Sequence, residues 1–248
     1  MAARARPVIS TREQVLPVSE SLVALFPSGL RRGSVVVVDG VGTAGGVGGA
    51  TTLAVSLLAE ASATGSWCAT VGFVEPGVVA VAELGVDVER LAFVPRPGAM
   101  WPEVTAAMLD GMELVLVCPP GPVRAAVARR LAARVRERRA VLVVLARHSS
   151  WPEGPDVCLT VEGGAWQGVE PGHGHLRGRR VIVATGGRRA AIRPVRAELW
   201  LPAASGAVDV VEQVQCGEVE EKRPSGEEAG GAVARRVVLR SPAGEGAR

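Results

Sequence analysis

The stretch Ser34–Leu58, SVVVVDGVGTAGGVGGATTLAVSLL, decides the fold of this chain. Val35–Val38 is a β-branched run that is typical of a buried parallel strand, and Thr52–Thr64 is an apolar segment of helical length. The glycines between them include Gly45, Gly46, Gly48 and Gly49. Strand, glycine-rich turn and helix in this order predict a phosphate-binding loop, in which backbone N–H groups converge on phosphate oxygens.

This loop lacks its usual lysine. The ending Gly-Lys-Thr/Ser is replaced by Gly49-Ala50-Thr51, and the only lysine of the chain is Lys222. Alanine cannot place an ammonium group on the β- and γ-phosphates. Thr51 and Thr52 could still bind phosphate or magnesium, although threonine is also an ordinary residue at a helix start. Two interpretations stay open: a vestigial phosphate site formed by these glycines and threonines, or glycines that only permit a tight turn.

The composition limits which binding partners and which cellular compartment can be expected. The 248 residues carry a net charge of +3, which permits an anionic partner without demanding one. Aromatic residues make up 3% of the chain and tyrosine is absent, so stacking platforms for single-stranded nucleic acid are scarce. The four cysteines form no Cys-x-x-Cys pair, and the first residues contain no apolar signal-peptide core. We expect reduced thiols, a cytoplasmic location and no membrane span.

The middle of the chain alternates strands with helices. The predicted strands are Val35–Val38, Trp67–Val74, Leu91–Val94, Leu114–Cys118 and Val141–Leu145. The predicted helices are Val18–Phe26, Thr52–Thr64, Pro76–Leu84, Trp101–Met112 and Val123–Arg139. This alternation predicts an α/β fold with a central, mainly parallel sheet that is flanked by helices.

Toward the C-terminus the pattern changes to antiparallel strands, predicted at Val157–Val161, Arg179–Ala184 and Ala191–Leu201. Gly163-Gly164 and Gly186-Gly187 are predicted as their turns, and the strands are expected to extend one edge of the same sheet. The predicted domain covers residues 18–202, after a flexible N-terminus at 1–17. Residues 203–248 are predicted to be a mostly disordered tail, because large apolar residues are rare there.

The order of parts resembles the RecA recombinase family. VSESLVALFPSGLRRGSVVVVDG at 18–40 is similar to that family's lead-in to the phosphate loop, and AELGVDVERLAFVPRPG at 82–98 resembles its approach to the third strand. The resemblance implies a RecA-like P-loop core over residues 18–201, with ATP as the family's nucleotide. The comparison also shows which functional residues of the family are replaced in this chain. The family's lysine falls on Ala50, and its magnesium-side aspartate falls on Cys118 or Pro119. The family's catalytic glutamate has one counterpart, Glu75.

A narrower resemblance fits these losses. The two DNA-binding loops of the recombinase fall on Pro119–Pro122 and His148–Pro155 and are reduced. The chain is similar to the RecA-like accessory proteins of the ImuA type from actinobacterial mutagenesis cassettes. That resemblance implies a non-catalytic adaptor in damage-induced mutagenic DNA synthesis. Its implied partners are an ImuB-type Y-family polymerase homologue and an error-prone polymerase.

Two arginine clusters are candidate contacts for DNA or for a partner. The candidate residues are Arg124, Arg129, Arg130 and Arg134 on the predicted helix Val123–Arg139, and Arg179 and Arg180 in the antiparallel region. A solvated helix face is the plainer interpretation of the first cluster. The spacing of His148, Cys158, His173 and His175 fits no zinc pattern, so no metal site is predicted. A nucleotide-binding switch with weak or no ATPase activity and a DNA-binding module stay open as alternatives to the adaptor.

Overall fold

The run Val35–Val38 forms the strand that it predicts, and this strand lies inside a large sheet. A computed structural model describes residues 14–39, 48–74, 77–146, 151–170, 173–188 and 194–211. The strands are β1 Val15–Leu16, β2 Leu30–Arg31, β3 Val35–Asp39, β4 Cys68–Val71, β5 Leu91–Val94, β6 Leu114–Val117, β7 Val141–Ala146, β8 Val157–Glu170, β9 His173–Gly186, β10 Arg196–Trp200 and β11 Asp209–Val210. The α-helices are α1 Ala50–Ser56, α2 Ala59–Ala63, α3 Val78–Glu83, α4 Trp101–Gly111 and α5 Ala125–Arg138.

Nine of the described strands form one sheet in the order β11-β10-β9-β8-β3-β7-β6-β4-β5. The strands from β8 to β5 in this order are all parallel to their neighbours. Every residue of β6 and β7 is buried, because helices cover both faces of this part. The prediction of a mixed α/β fold with a mainly parallel central sheet and flanking helices is confirmed.

The two faces of β3 pack against different helices. Val36 and Val38 share a buried cluster with Leu53 of α1, whereas Val37 shares a cluster with Leu131 of α5. This division follows from the two-residue period of a strand, which sends successive side chains to opposite faces. The next helix in the chain, α1, begins beyond the carboxyl end of β3.

The antiparallel strands extend one edge of this sheet, as predicted. β8 is parallel to β3 and antiparallel to β9, and β10 and β11 continue the antiparallel order. The predicted turn at Gly163-Gly164 is wrong, because both glycines lie inside β8 and pair with Ile182 and Val181. A Cβ atom on Gly164 would lie 2.7 Å from Cγ1 of Val181. These glycines therefore permit a close approach of two strands within a long hairpin.

The segment before β3 differs from its prediction. Val18–Phe26 contains one 3-10 turn, Glu20–Leu22, in place of the predicted helix. Leu22 and Phe26 are buried, so the apolar spacing reflects packing against the core. Pro27 disfavours a helical backbone at the residue before it, which limits any helix here.

The predicted flexible segment 1–17 is ordered at its end. Residues 1–13 lie outside the described chain, but Val15–Leu16 pairs with β2 and Leu16 is buried. The short strand Val15–Leu16 is ordered because burial of the Leu16 side chain offsets the conformational entropy that the strand loses.

The predicted helix Thr52–Thr64 is divided into α1 and α2. The hydroxyl of Ser56 donates to the Leu53 carbonyl at 2.8 Å, and the amide of Leu58 donates to the Val55 carbonyl at 2.9 Å. Both bonds span three residues and tighten the backbone into a short turn between the helices.

The sheet continues beyond the boundary predicted at residue 202. β11, Asp209–Val210, pairs with β10, and the hydroxyl of Ser21 donates to the Val208 carbonyl at 2.8 Å. These contacts join the segment after residue 202 to the start of the domain. Most of the predicted tail, residues 212–248, lies outside the described chain.

Candidate functional site

The glycine-rich turn between β3 and α1 is described in its last part. Gly45 and Gly46 lie outside the described residues, whereas Gly48 and Gly49 lead directly into α1. Gly49 has a φ of +124°, a value that favours glycine. Ala50, at the start of α1, is buried with an exposed fraction of 7%. The position where the resemblance places a lysine therefore holds a small buried side chain.

A cleft of about 630 Å³ lies at the carboxyl ends of β4 and β6, next to α1 and α3. Thr51 and Thr52 contribute hydroxyl groups to it. Its other lining residues are Val55, Gly72, Phe73, Val74, Gly77, Ala80, Val81, Leu84, Cys118, Pro119 and Pro120. Within the described residues, this lining contains no carboxylate to hold magnesium and no cation to neutralise a γ-phosphate.

The two residues at the predicted position of the magnesium-side aspartate, Cys118 and Pro119, carry no carboxylate. Cys118 and Pro119 follow β6 directly, and the Cys118 amide donates to the Val71 carbonyl at 2.8 Å. Gly72 lies against the Cys118 carbonyl so closely that a Cβ atom there would clash. The two strand ends thus pack backbone against backbone. Glu75 lies outside the described residues.

The segments predicted to replace the DNA-binding loops are partly described. Pro119–Pro122 leads from β6 to α5, with Pro119 buried and Pro120 exposed. Within His148–Pro155, the residues from Trp151 onward are described, and Trp151 is buried in the cluster on the α5 side of the sheet. A buried tryptophan here stabilises the core and offers no stacking surface for a base.

Arg179, one of the arginines predicted as a DNA or partner contact, lies in the interior instead, with an exposed fraction of 8%. It is directly opposite Trp166 in the β8–β9 pair, so both side chains share one face of the sheet. Its Cζ atom is 4.8 Å from the centroid of the Trp166 ring, and its Nε donates to the Leu201 carbonyl at 3.0 Å. The Trp166 ring and the Leu201 carbonyl therefore hold the side chain in place.

The far end of Arg179 lies against the glycine-rich turn. A Cβ atom on Gly48 would clash with Nη1, and one on Gly49 would lie 3.2 Å from Nη2. Burial lowers the pKa of Arg179. Among the described residues, no carboxylate forms an ion pair with it. A buried cation thus meets the end of the predicted phosphate loop, and its strand β9 lies on the other side of β3 in the sheet from β6 and β4, at whose ends the cleft lies.

Arg180, the neighbouring candidate, has a different setting because adjacent strand residues point to opposite faces. It is exposed, and its Nε lies 2.6 Å from a carboxylate oxygen of Glu198 on β10. The two predicted contacts Arg179 and Arg180 are therefore not parts of one surface.

The arginines of α5 face solvent and the acidic residues around them. Arg129 pairs with Glu153 at 3.4 Å, and Arg130 pairs with Glu103 of α4 at 2.9 Å. Arg134 makes two hydrogen bonds of 2.6 Å to the carboxylate of Asp110, which also accepts one from Arg138 at 3.1 Å. These hydrogen bonds, led by those from Arg134, lower the pKa of Asp110. Arg124, which precedes the helix, is exposed and has no ion pair in the described residues.

Sequence reasoning missed Trp166 and Leu201 as parts of the arginine site. The available signal was the alternation around Arg179, which places it on the same strand face as the buried Val181 and Val183. The partners themselves depend on strand register, which this pattern does not specify.

The described residues contain no group of three or more histidine, cysteine or acidic side chains that could hold a metal ion. No described helix is both long and apolar enough to cross a membrane. Burial raises the pKa of the Cys68 thiol to about 12, so this cysteine stays protonated at neutral pH.

Comparison with known proteins gives a family and a curated relative. The family described as the MT3502 N-terminal domain matches residues 24–153, just over half of the chain. The uncharacterized protein Rv3395c of Mycobacterium tuberculosis is 40% identical over 104 residues, which cover 42% of this chain and 51% of that protein. The chain thus spans about half the length of this relative. The family match includes the glycine-rich turn and ends before β8 and β9. From the extent of this match, the chain belongs to the MT3502 N-terminal domain family.

Proposed function

We propose that this chain is a non-catalytic adaptor with a RecA-like P-loop core, of the ImuA type, that acts in damage-induced mutagenic DNA synthesis. Its proposed partners are an ImuB-type Y-family polymerase homologue and an error-prone polymerase. The core supports this proposal through its layout. A buried parallel strand, β3, is followed by a glycine-rich turn and a helix. The turn lies beyond the carboxyl ends of the parallel strands, where ligand clefts of α/β proteins form.

The observation that carries the non-catalytic part is the chemistry of the cleft. It retains the hydroxyls of Thr51 and Thr52, but Ala50, Cys118 and Pro119 stand where lysine and aspartate are expected. Phosphoryl transfer depends on electrostatic stabilisation of the γ-phosphate and on a held metal ion. A cleft whose described lining offers two threonine hydroxyls, but neither a cation nor a carboxylate, is therefore a poor catalyst of phosphoryl transfer even if its shape is kept.

The adaptor role is supported by exposed apolar side chains beside this cleft. Val74, Val78 and Val79 have exposed fractions of 52%, 53% and 72%. Exposed aliphatic groups that are adjacent in this way are typical of protein contact surfaces. We infer that α3 and the end of β4 contribute to a partner interface.

The test compares three bacterial strains after DNA damage: one lacking the chain, one with Thr51→Ala and Thr52→Ala, and one with Val78→Ser and Val79→Ser. We expect the deletion and the valine variant to lose induced mutation, and the threonine variant to keep it. Homologous recombination should stay intact in all three. Normal induced mutation in the deletion strain, or a recombination defect like that of losing the recombinase itself, would refute the adaptor.

A second test concerns catalysis alone. We expect no appreciable ATP hydrolysis with or without single-stranded DNA, because the lysine and the aspartate are both replaced. Turnover comparable to that of ordinary P-loop ATPases, abolished by Thr51→Ala, would contradict the non-catalytic proposal and favour the nucleotide switch. DNA affinity that falls steeply with salt, together with normal mutagenesis in the deletion strain, would favour the DNA-binding module.

A further inference from the structure

The cleft at the carboxyl ends of β4 and β6 lies beside an exposed apolar surface. We call this surface the α3 face and define it by Val74, Val78 and Val79, all more than half exposed. Val78 and Val79 are adjacent on α3, and the cleft wall next to them contains further aliphatic side chains of the same helix, Val81 and Leu84. The α3 face can therefore bury apolar side chains of another segment.

The carboxyl end of α3 carries negative charge. Glu83 is the last residue of this helix, and Asp87 and Glu89 belong to the 3-10 turn that follows it. Among the described residues, none of these three carboxylates is in an ion pair. The next basic residue, Arg90, lies over the Trp67 ring at 5.1 Å. A segment that carries both apolar and basic side chains would therefore complement this surface in hydrophobicity and in charge.

The last described part of the chain passes α3. The amide of Gly206 donates to the Ala203 carbonyl at 3.0 Å and closes a turn. Gly206 lies against the helix, since a Cβ atom on it would be 3.0 Å from the Cβ of Glu83. Val211, the last described residue, is five residues further on and thus within about 18 Å of Gly206. Residues that follow Val211 therefore start close to the α3 face.

The remaining sequence contains one run in which apolar and basic residues combine. This run, AVARRVVLR at 232–240, has three arginines, no acidic residue and the aliphatic residues Val237–Leu239. The intervening stretch 212–231 is acidic instead, with six glutamates against two basic residues. Only the run at 232–240, which we call the tail segment, complements the carboxylates beside the α3 face.

We propose that the tail segment binds the α3 face of its own molecule, with Val237–Leu239 against the exposed valines and the arginines beside the three carboxylates. Burial of the aliphatic side chains drives this contact, and the complementary charges select this face over the other exposed surfaces. The bound segment covers the surface proposed above for a partner, so its release exposes that surface. This regulatory consequence rests on the proposed function, whereas the contact itself does not.

The tether makes a weak contact sufficient. About 20 residues join Val211 to the tail segment, and a random coil of that length spans about 25 Å on average. The effective concentration of a segment tethered in this way is about 1 mM. A contact with a Kd of about 0.1 mM between separate molecules would then be about nine-tenths formed within one chain. Its extent would not depend on the protein concentration.

The experiment is methyl NMR spectroscopy of the full chain at two protein concentrations that differ tenfold. The test variant replaces the aliphatic part of the tail segment: Val237→Ser, Val238→Ser and Leu239→Ser. The matched control replaces two valines of the acidic stretch: Val214→Ser and Val219→Ser. We expect the methyl signals of Val78 and Val79 to move at least threefold further in the test variant than in the control. In the wild type, nuclear Overhauser contacts should join the Leu239 methyl groups to those of Val79 at both concentrations.

A charge exchange tests whether the carboxylates select the segment. Arg235→Glu together with Arg236→Glu should remove the Leu239–Val79 contact, because like charges then face each other. Adding Glu83→Arg and Glu89→Arg to this variant should restore the contact. Loss of the contact without any recovery would contradict the proposed pairing of charges.

Three results would overturn the proposal. They are the absence of the Leu239–Val79 contact in the wild type, equal signal shifts in the test and control variants, and a contact that weakens on dilution, which would make a second copy the occupant. Unchanged methyl signals of the buried Leu131 show that a variant keeps its fold. None of these measurements needs DNA damage or a polymerase, so a failure of this contact is distinct from a failure of the adaptor, which the strains above test.

Discussion

The outer face of α5 and the interior of the β8–β9 pair both carry arginine, and they use it in opposite ways. On α5, Arg130 is exposed and Arg134 is partly exposed, and they are paired with Glu103 and Asp110 of the neighbouring helix α4. On β9, Arg179 is buried against a tryptophan ring and a glycine turn and has no described carboxylate partner. Both regions are rich in arginine in the sequence, but their arginines differ in burial and in pairing with carboxylates.

Local charge density is therefore a weak guide to function in this chain. An exposed arginine beside an acid is mostly solvated, and its pair adds little stability. A buried arginine must be held by specific contacts, and its cost is recovered by packing, by a carbonyl or by a ligand. Arg179, which lies outside the dense arginine cluster on α5, is therefore the arginine whose contacts say most about its role.

Charge reversal should separate the two regions most strongly. Arg179→Glu would bury a carboxylate next to a carbonyl and a ring face, so we expect a loss of about 3 kcal/mol or more in the free energy of unfolding. Arg134→Glu places the new charge near Asp110 at a partly exposed site, where solvent screens the repulsion, so the loss of unfolding free energy should be several-fold smaller. Urea unfolding followed by circular dichroism measures both. Equal losses would show that Arg179 is solvated in solution.

The two arginine–tryptophan pairs give a finer comparison. Arg90 lies over Trp67 at 5.1 Å and Arg179 over Trp166 at 4.8 Å, and the two rings are similarly exposed, at 46% and 44%. Because only Arg179 is buried, a double-mutant cycle with arginine to methionine and tryptophan to alanine should give a coupling of about 2 kcal/mol there. The Arg90–Trp67 cycle should give about 0.5 kcal/mol. A larger coupling in the exposed pair would contradict this order.

The parallel half of the fold could be predicted because its signals are local. Val35–Val38 and Val141–Leu145 are β-branched or aliphatic runs long enough to be buried strands, and the four-residue spacing of Val127, Leu131 and Val135 predicts the inner face of α5. Each signal lies within a few residues of the element that it describes.

The antiparallel half and the arginine site could not be predicted because they depend on distant pairings. Glycines at 163–164 are typical of turns, and only the approach of Val181 explains them inside a strand. Likewise, Trp166 meets Arg179 through the register of β8 and β9, and Gly48 meets Arg179 across more than a hundred residues of sequence. A one-residue change in that register would move Arg179 to the other face.

Acid titration should detect the paired carboxylate on the α5 side. Hydrogen bonds from Arg134 lower the pKa of Asp110 below its ordinary value of 3.8, so the ionised form is favoured in the folded state. The stability from this pair is complete above the unfolded pKa and is lost as the pH falls through the lower folded pKa. The difference in unfolding free energy between the wild type and Asp110→Asn should therefore be constant above about pH 5 and shrink below about pH 4. In an Arg134→Met background this pH dependence should weaken, and an unchanged dependence would contradict the assignment.

The smallest expected effect concerns DNA binding by the α5 face. Arg129, Arg130 and Arg134 were candidate DNA contacts, but each lies within ion-pair distance of an acidic side chain. A phosphate would have to displace those carboxylates, and their negative charge would repel it. We therefore expect the triple change of these arginines to glutamine to alter the affinity for single-stranded DNA less than twofold and to leave its salt dependence unchanged. Fluorescence anisotropy at two salt concentrations measures both quantities, with Arg124→Gln as the control because Arg124 has no described ion pair. A slope reduced by about three in the triple variant would show that the carboxylates yield to phosphate, and the α5 face would then be a DNA contact.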